Sequence, residues 1–260
     1  MEFQNLKVET ADGIATVTID RPQSLNALNR DVVRELEYAL FELELEAAVK
    51  VVIITGAGEK SFVAGADIKE VESMDSVQGH AFARRGQRVM LFIQNMKKPV
   101  IAAVNGYALG GGLELALACD FIYASETAKL GLTEVTLGIM PGFGGTQNLP
   151  RLIGRNKANE LILTGKMIDA HKACAWGIVN EVFPPEDLLA KTKETAAAIA
   201  KNGLVAVSHA KDSIANGLDM AKEDGLRYEA SMFAVLFATE DQSEGMGAFV
   251  AKRKASFKGQ

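Results

Sequence analysis

Two glutamates and a run of glycines are the residues of this sequence whose types and spacing could do chemistry. Glu114 directly follows the glycines at 110–112 and Leu113 in an apolar segment, and Glu134 lies among apolar and small residues before a second glycine cluster. Glycines let the backbone approach a ligand closely, and the first N–H groups of a helix lack intrahelical partners. Such N–H groups can hold a developing negative charge beside a carboxylate that acts as general acid or base. Alternatively, the glycines permit close helix packing and Glu114 is a helix-start acid held by backbone N–H groups; this segment alone leaves both interpretations open.

The elements that must position Glu114 can be predicted from the hydrophobic pattern around it. Residues 99–104 are apolar and partly β-branched, which predicts a buried strand leading into the glycines, and residues 113–118 predict a helix. Glu114 then falls in or near the first turn of that helix. Burial would raise the pKa of its carboxyl group, whereas the positive helix N-terminus would lower it.

Strand, loop and helix recur through the first two-thirds of the chain. Alternation within residues 1–20 predicts two strands joined at Gly13, Asn29 is expected to cap a helix, and residues 50–55 predict another buried strand. The Pro22 loop that follows the first strands is expected to be irregular, and a later helix is expected from about His80 to Met96. This recurrence predicts a layered α/β core with right-handed crossovers. The glycines at 56 and 58 only weakly resemble a dinucleotide-binding fingerprint, because the third glycine is missing.

The last quarter of the sequence is predicted to be entirely helical. Pro184 and Pro185 precede a helix expected to end near Lys201, and further helices follow to Phe257. Its apolar residues suggest a subunit interface, although Met and aromatic residues at these spacings also suit an internal core. They are Met220, Leu226, Met232, Phe233, Leu236 and Phe237.

Composition limits the classes of function. The 260 residues carry a formal net charge of −5 and are 48% hydrophobic, which is typical of a globular protein and gives no reason to expect a nucleic-acid partner. The first residues lack signal-peptide features, and the longest apolar region is interrupted by charges and glycines, so no membrane span is expected. Cys119 and Cys174 are expected to be buried free thiols, consistent with a reducing cytoplasm. The three histidines are scattered, and no metal site is expected.

Several long segments, in order, resemble the crotonase (enoyl-CoA hydratase) family over essentially the whole chain. The first is Phe62-Val63-Ala64-Gly65-Ala66-Asp67-Ile68-Lys69; the second is Pro99-Val100-Ile101-Ala102-Ala103-Val104-Asn105-Gly106, running into Gly110-Gly111-Gly112-Leu113-Glu114; the third is Glu134 followed by Leu137-Gly138 and Pro141-Gly142. The resemblance implies an α/β fold: a spiral of ββα repeats over residues 1–195 that carries the active site, then an all-helical region at 196–260 that builds trimers, which commonly pair into hexamers.

The resemblance also implies a substrate and a site. The substrate is a coenzyme A thioester, no separate cofactor or metal is needed, and the N–H groups of Ala66 and Gly111 hold the thioester carbonyl oxygen. Glu134 is expected to activate a water molecule, and Glu114 to assist it and exchange the Cα proton; which glutamate delivers that proton stays open. The N–H of Gly142 is expected to hold the water or a glutamate.

Coenzyme A is expected to lie along the loop at 21–28 and the backbone of residues 66–69, with an aromatic residue and a lysine from the C-terminal helix reaching its nucleotide. The expected contacts are Asn26, Ala27, Ala64, Ala66, Asp67, Ile68, Lys69, Phe249 and Lys252. Val71 and Met74 are expected to help shape the acyl pocket. Asn148 stands where many relatives carry arginine, which puts a structural or interface salt bridge in doubt rather than the chemistry.

The chain is most similar to the bacterial short-chain branch of that family. The implied reaction is reversible hydration of a trans-2-enoyl-CoA to the 3-hydroxyacyl-CoA, crotonyl-CoA to 3-hydroxybutyryl-CoA, as in fatty-acid β-oxidation. Two alternatives lie within the family: a hydratase for a cyclic dienoyl-CoA, and a double-bond isomerase, which typically manages with one acid. A third is an RNA-binding relative, which the net acidity and the two glutamates disfavour.

Overall fold

In the middle of this protein, from the third strand to the eighth, consecutive strands alternate between two sheets. The structure, a computed structural model, describes residues 3–260. The strands in this range are β1 (Leu6–Ala11), β2 (Ile14–Ile19), β3 (Val51–Gly56), β4 (Ser61–Val63), β5 (Val100–Val104), β6 (Tyr107–Leu109), β7 (Phe121–Ser125), β8 (Lys129–Gly131), β9 (Ile168–Asp169) and β10 (Glu181–Phe183). The helices in this range are α1 (Arg30–Leu45), α2 (Ile68–Val71), α3 (Ser76–Asn95), α4 (Gly111–Ala118), α5 (Gly145–Ile153), α6 (Arg155–Thr164), α7 (Ala170–Trp176), α8 (Leu188–Ala200), α9 (Leu204–Gly217), α10 (Lys222–Leu236) and α11 (Glu240–Val250).

The order of the strands in the two sheets shows the structural repeat of two strands and a helix. Over residues 3–260, one sheet has the order β1-β2-β3-β5-β7-β10 and the other has the order β4-β6-β8-β9. The pairs β3/β4, β5/β6 and β7/β8 therefore each give one strand to the first sheet and the next to the second. Strands β2 to β10 of the first sheet pair in parallel, which requires crossovers through the second sheet and the helices. The spiral of ββα repeats is confirmed.

Both faces of the larger sheet are covered, as a parallel sheet requires. Along β3, Val52 and Ile54 point into the main core, whereas Val51 and Ile53 point to a smaller core on the opposite face. Helix α8 fills that second core with Leu188, Ala196 and Ala200. The predicted domain boundary after residue 195 falls inside this helix, and a division after Ala200 would keep the helix whole with the sheet that it covers.

Local sequence signals place several helix ends. Asn29 caps α1 as predicted, since its side chain accepts a hydrogen bond from the N–H of Val32 at 2.8 Å. The start predicted for α3, His80, is wrong by four residues, because Asp75 and Gln78 form a capping box that begins the helix at Ser76. The loop predicted to be irregular contains a short 3-10 helix at Pro22–Ser24. The free thiol of Cys119 is buried as predicted, but that of Cys174 is only half-buried.

The C-terminal helices attach to the core through an ion pair. The Lys211 ammonium on α9 lies 2.9 Å from Asp120 and also donates to the carbonyls of Ile93 and Lys98. Asp120 in turn accepts a hydrogen bond from the N–H of Val100. Burial raises the pKa of Asp120, and the charge of Lys211 partly reverses that effect. Across the described residues, no helix is both long and apolar enough to span a membrane.

Replacing Lys211 by methionine is expected to reduce the free energy of unfolding by about 2 kcal/mol, because a largely buried carboxylate loses its partner. The Lys211 side chain is 9% exposed and that of Asp120 is 24% exposed, so water offsets part of the loss. Urea unfolding at pH 7 measures the change. The exposed Lys193→Met is the control, expected to change the value by less than about 0.5 kcal/mol. Equal effects of the two substitutions would contradict this role of the ion pair.

Candidate active site

Helix α4 and the glycines that begin it fix the position of Glu114. A Cβ at Gly112 would overlap the carbonyl oxygen of Val63, so the helix packs directly on the backbone of β4. Gly110 has a φ of 50°, a left-handed value that favours glycine. Gly111 is the first residue of α4, so its N–H has no acceptor within the helix. Both interpretations of the glycine run therefore apply, to different residues: Gly112 permits packing, and Gly111 offers an N–H group to a ligand.

The Glu114 carboxylate is buried and held by the chain segment that leads into α5 together with the first residue of that helix. Its side chain is 1% exposed, and Oε1 accepts hydrogen bonds from the N–H of Phe143 at 2.8 Å and of Gly145 at 2.7 Å. Burial raises the pKa of Glu114, and the backbone N–H groups of residues 142–145 lower it in part. The N–H groups that partly offset the rise in the pKa of Glu114 therefore belong to this segment rather than to the N-terminus of α4.

Glu134 lies beside the same glycines with its carboxylate unpartnered. It begins a short 3-10 helix, Glu134–Leu137, and a Cβ on Gly110 would stand 3.0 Å from its Oε1. Both carboxylate oxygens are inaccessible and have no hydrogen-bond partner within residues 3–260. Burial raises the pKa of Glu134 to about 7, with a smaller contribution from the charge of Glu114. A carboxylate with such a pKa can take up and release a proton at neutral pH.

The unpartnered carboxylate has a consequence for stability. The folded protein keeps the Glu134 proton up to about pH 7, whereas an unperturbed glutamate releases it near 4.5. Between these values the folded state binds more protons than the unfolded state, so the free energy of unfolding falls as pH rises, and the whole penalty is present above about pH 7. Glu134→Gln is therefore expected to raise the free energy of unfolding at pH 8 by about 1–2 kcal/mol, after allowance for partial exposure. Urea unfolding at pH 8 and pH 5.5 measures this gain in the free energy of unfolding, which we expect to be smaller at pH 5.5. The control is Glu186→Gln, at an exposed position. A gain that does not depend on pH would contradict this role of the Glu134 proton.

Leu28 lies next to the two residues whose N–H groups are predicted to hold the thioester oxygen, Ala66 and Gly111. Leu28 and Ala66 form an isolated parallel bridge in which the N–H of Leu28 donates to Gly65 and the N–H of Asp67 donates to Leu28, both at 2.8 Å. The N–H of Ala66 takes no part in this bridge. A Cβ on Gly111 would stand 3.4 Å from the side chain of Leu28 and 3.5 Å from that of Phe143. Leu28 therefore lies next to both the Ala66 and the Gly111 backbones, whose N–H groups are the pair predicted to hold one oxygen.

The loop at 21–28 is tied to the segment at 64–67, so most of the predicted coenzyme A contacts come together. Arg21 forms an ion pair with Asp67 at 3.0 Å and donates to the carbonyl of Ala27. The N–H of Ala64 donates to Leu25 at 3.1 Å. Asn26 is fully buried, and its amide bonds the carbonyls of residues 57 and 61 and the N–H of Arg21. The Asn26 side chain therefore holds the loop, and both of its N–H groups are already used by backbone carbonyls.

The remaining predicted contacts lie on α2 and at the end of α11. Ile68 and Lys69 are exposed at the start of α2, and Phe249, 84% exposed, lies in the last turn of α11. Lys252, predicted to lie on the C-terminal helix, instead lies in the turn that follows α11, with a φ of 52°. The contacts of these residues with coenzyme A stay predictions. Within residues 3–260, no three His, Cys, Asp or Glu side chains are grouped to hold a metal ion.

The donors to Glu114 are the functional groups that sequence reasoning missed. It singled out Gly142, whose N–H is among the groups that lower the pKa of Glu114, but not Phe143 and Gly145, which make the hydrogen bonds. The signal was the glycine cluster at 142, 144 and 145, which leaves backbone N–H groups accessible to a side chain.

Comparison with known proteins shows similarity along the whole chain. A family model described as enoyl-CoA hydratase/isomerase matches residues 9–260. The short-chain-enoyl-CoA hydratase of Clostridium acetobutylicum is 47% identical over 98% of this chain and 97% of its own length. The crotonyl-CoA hydratase of Syntrophomonas wolfei is 46% identical over 99% of both. A solved structure of an enoyl-CoA hydratase from Bacillus anthracis has a TM-score of 0.96 and 44% identity, covering 99% of this chain and 100% of that one.

Proposed function

Since the chain belongs to the enoyl-CoA hydratase/isomerase family, we propose that its site reversibly hydrates a short-chain trans-2-enoyl-CoA to the 3-hydroxyacyl-CoA. The observation that carries this proposal is a pair of glutamates with inaccessible carboxylate oxygens, Glu114 and Glu134, beside two backbone N–H groups that have no acceptor within residues 3–260. Addition of water to a conjugated thioester needs a base, an acid and a site for negative charge on oxygen, and these residues can supply all three. No cofactor is needed for these steps.

The thioester carbonyl oxygen is held by the N–H groups of Ala66 and Gly111. As water attacks Cβ, the π electrons of the double bond move toward that oxygen, and each donor stabilises the resulting enolate by roughly 2.7–4 kcal/mol. The ionised Glu134 takes the proton of the attacking water. Glu114 orients the water and can exchange a proton with Cα. Either glutamate can supply the proton that Cα receives as hydration is completed.

The assignment of roles follows from the environments of the two carboxylates. Oε1 of Glu114 is anchored by two backbone donors, which fixes the group and restrains its basicity. Neither oxygen of Glu134 has a hydrogen-bond partner within residues 3–260, and its pKa of about 7, which its own backbone N–H lowers only in part, is the better match to a base at neutral pH. Gly142 remains in our proposal as a donor to the water or to Glu114.

A short acyl chain is proposed from the two relatives whose names specify short-chain enoyl-CoA and crotonyl-CoA as substrates. The test compares kcat/KM for crotonyl-CoA with that for a ten-carbon trans-2-enoyl-CoA and follows the loss of the conjugated double bond. At least a tenfold preference for crotonyl-CoA is expected. A preference for the longer chain would overturn the chain-length proposal, and activity on a trans-3-enoyl-CoA without hydration would favour the isomerase alternative.

We further propose that the protein is a trimer or a pair of trimers that acts in a reducing cytoplasm. Helices α9 and α10 line an open groove of about 740 Å³, and large apolar residues on α9, α10 and α11, such as Ile214, Phe233 and Val250, are more than half exposed. An exposed apolar surface of this kind supports association with other copies. Light scattering should give three or six times the mass of one chain, and a monomer at micromolar concentration would contradict the proposal.

A further inference from the structure

Helix α3 packs against the segment that holds Glu114. A Cβ at Gly86 would overlap the ring of Phe143, so only glycine lets the helix approach this closely. The rings of Phe82 and Phe143 lie with their centroids 5.1 Å apart, and the side chain of Gln87, the residue after Gly86, also reaches this segment. These contacts place one turn of α3 directly over the residues that donate to Glu114.

The side chain of Gln87 bonds the backbone of that segment. Its Nε2 donates to the carbonyl oxygen of Gly142 at 2.9 Å, and its Oε1 accepts from the Arg84 guanidinium at 2.9 Å. Arginine can only donate hydrogen bonds and a carbonyl oxygen can only accept them, so both contacts require the same orientation of the amide. The side-chain amide of Gln87 therefore has one orientation, in which its NH₂ group donates to the carbonyl of Gly142.

The carbonyl of Gly142 and the N–H of Phe143 belong to one planar peptide unit. The carbonyl end accepts from Gln87, and the N–H end donates to Oε1 of Glu114 at 2.8 Å. A hydrogen bond to the carbonyl fixes the plane of the peptide and polarises its N–H, which strengthens the bond at the other end. Gln87 is thus connected to Glu114 by two hydrogen bonds through a rigid unit.

We infer that Gln87 is a positioning residue that acts on Glu114 through the Gly142–Phe143 peptide. The inference rests on the proposed function for its effect on turnover. Gln87 does not bond the predicted coenzyme A contacts, so its loss affects the chemical step rather than binding. Weaker donation to Glu114 also favours the protonated carboxyl group.

A matched control lies two turns later on the same helix. Gln94 donates through Nε2 to the side chain of Asn148 on α5, at 3.3 Å, and is half-buried like Gln87. This contact also joins α3 to α5, but Gln94 bonds a side chain and not a peptide that donates to Glu114. The N–H of Asn148 does donate to the carbonyl of Gly144, through a backbone bond that the Gln94 substitution leaves in place. Methionine is similar in length to glutamine and cannot donate, so Gln87→Met and Gln94→Met remove comparable bonds.

The first experiment measures kcat and KM for crotonyl-CoA from pH 5.5 to 9 in the wild type and both variants. Gln87→Met is expected to lower kcat about tenfold, the effect of about one lost hydrogen bond. We expect KM to change less than twofold and the acidic limb of the kcat profile to move to higher pH. Gln94→Met should leave kcat and the limb unchanged. An unchanged kcat in Gln87→Met, or equal losses in the two variants, would overturn the inference.

The second experiment needs no turnover and separates this inference from the proposed function. The carboxyl carbon of Glu114 is followed by carbon NMR as pH is varied, with Glu114→Gln to assign the signal, and Glu134 is the titratable group that faces it. Gln87→Met should move the Glu114 midpoint to higher pH by about half a pH unit, and Gln94→Met should not. A moved midpoint in a protein that fails to hydrate crotonyl-CoA upholds the positioning role and rejects the function. An unmoved midpoint in an active enzyme rejects the positioning role alone.

Discussion

Glu134→Gln is expected to lower kcat for hydration of crotonyl-CoA by about 10³-fold, with KM within about threefold of the wild type. The amide has the shape of the carboxylate but cannot take the proton of the attacking water, and general base catalysis is typically worth 10² to 10⁴. Because neither oxygen of Glu134 has a hydrogen-bond partner within residues 3–260, the substitution breaks no contact there. The loss should therefore appear in turnover, in a protein that at pH 8 is more stable than the wild type.

The companion variant Glu114→Gln tests the division of roles. The introduced amide can still accept both backbone N–H groups through its carbonyl oxygen, so the fold should persist while kcat falls by about 10²-fold or more. The exposed Glu186→Gln is the control for both variants and should retain full activity. If Glu134→Gln kept more than a tenth of the wild-type kcat, Glu134 could not be the base.

Gly111→Pro is expected to lower kcat/KM by about 10³-fold through loss of one donor to the thioester oxygen. A single such donor is worth about 10² to 10³ in turnover, and the proline ring also fills the position of the lost N–H. Proline is tolerated at the first position of a helix, where Gly111 stands, so α4 should still form. Circular dichroism and the unfolding midpoint check that it does.

Gly111→Ala separates loss of the N–H from the addition of carbon atoms. Its Cβ would meet Leu28 and Phe143 at 3.4 and 3.5 Å, which is ordinary contact, and the N–H is kept. We expect kcat/KM for Gly111→Ala within about tenfold of the wild type, the cost of slight repacking. If alanine and proline at this position lost activity equally, the N–H of Gly111 would not be the group that matters.

The parts of the site that could be predicted are those set by local sequence. The apolar strand before the glycines and the helix after them place Glu114 in a buried first helical turn, and the structure agrees at β5 and α4. The alternation of strands between two sheets came from the family resemblance, because hydrophobic periodicity predicts strands but not the sheets to which they belong.

Other parts depend on contacts between distant residues. The donors to Glu114 stand 29 and 31 positions away, and Gln87 meets Gly142 across 55 positions, so no local pattern pairs them. For Asn26, by contrast, the local sequence suggested a contact, and the tertiary structure gives its side chain other partners. A polar residue in a predicted binding loop suggests a ligand contact, yet its buried amide is occupied by backbone groups, because a buried polar side chain must find hydrogen-bond partners.

Product analysis after reaction in ¹⁸O-labelled water tests the central claim most directly. Purified protein is mixed with crotonyl-CoA, and the thioester product is examined by mass spectrometry beside Glu134→Gln. We expect 3-hydroxybutyryl-CoA carrying one ¹⁸O atom from the wild type, and the same product formed about 10³-fold more slowly by the variant. Unchanged crotonyl-CoA, a thioester of unchanged mass with a moved double bond, or labelled product formed equally fast by Glu134→Gln would contradict hydration by these glutamates.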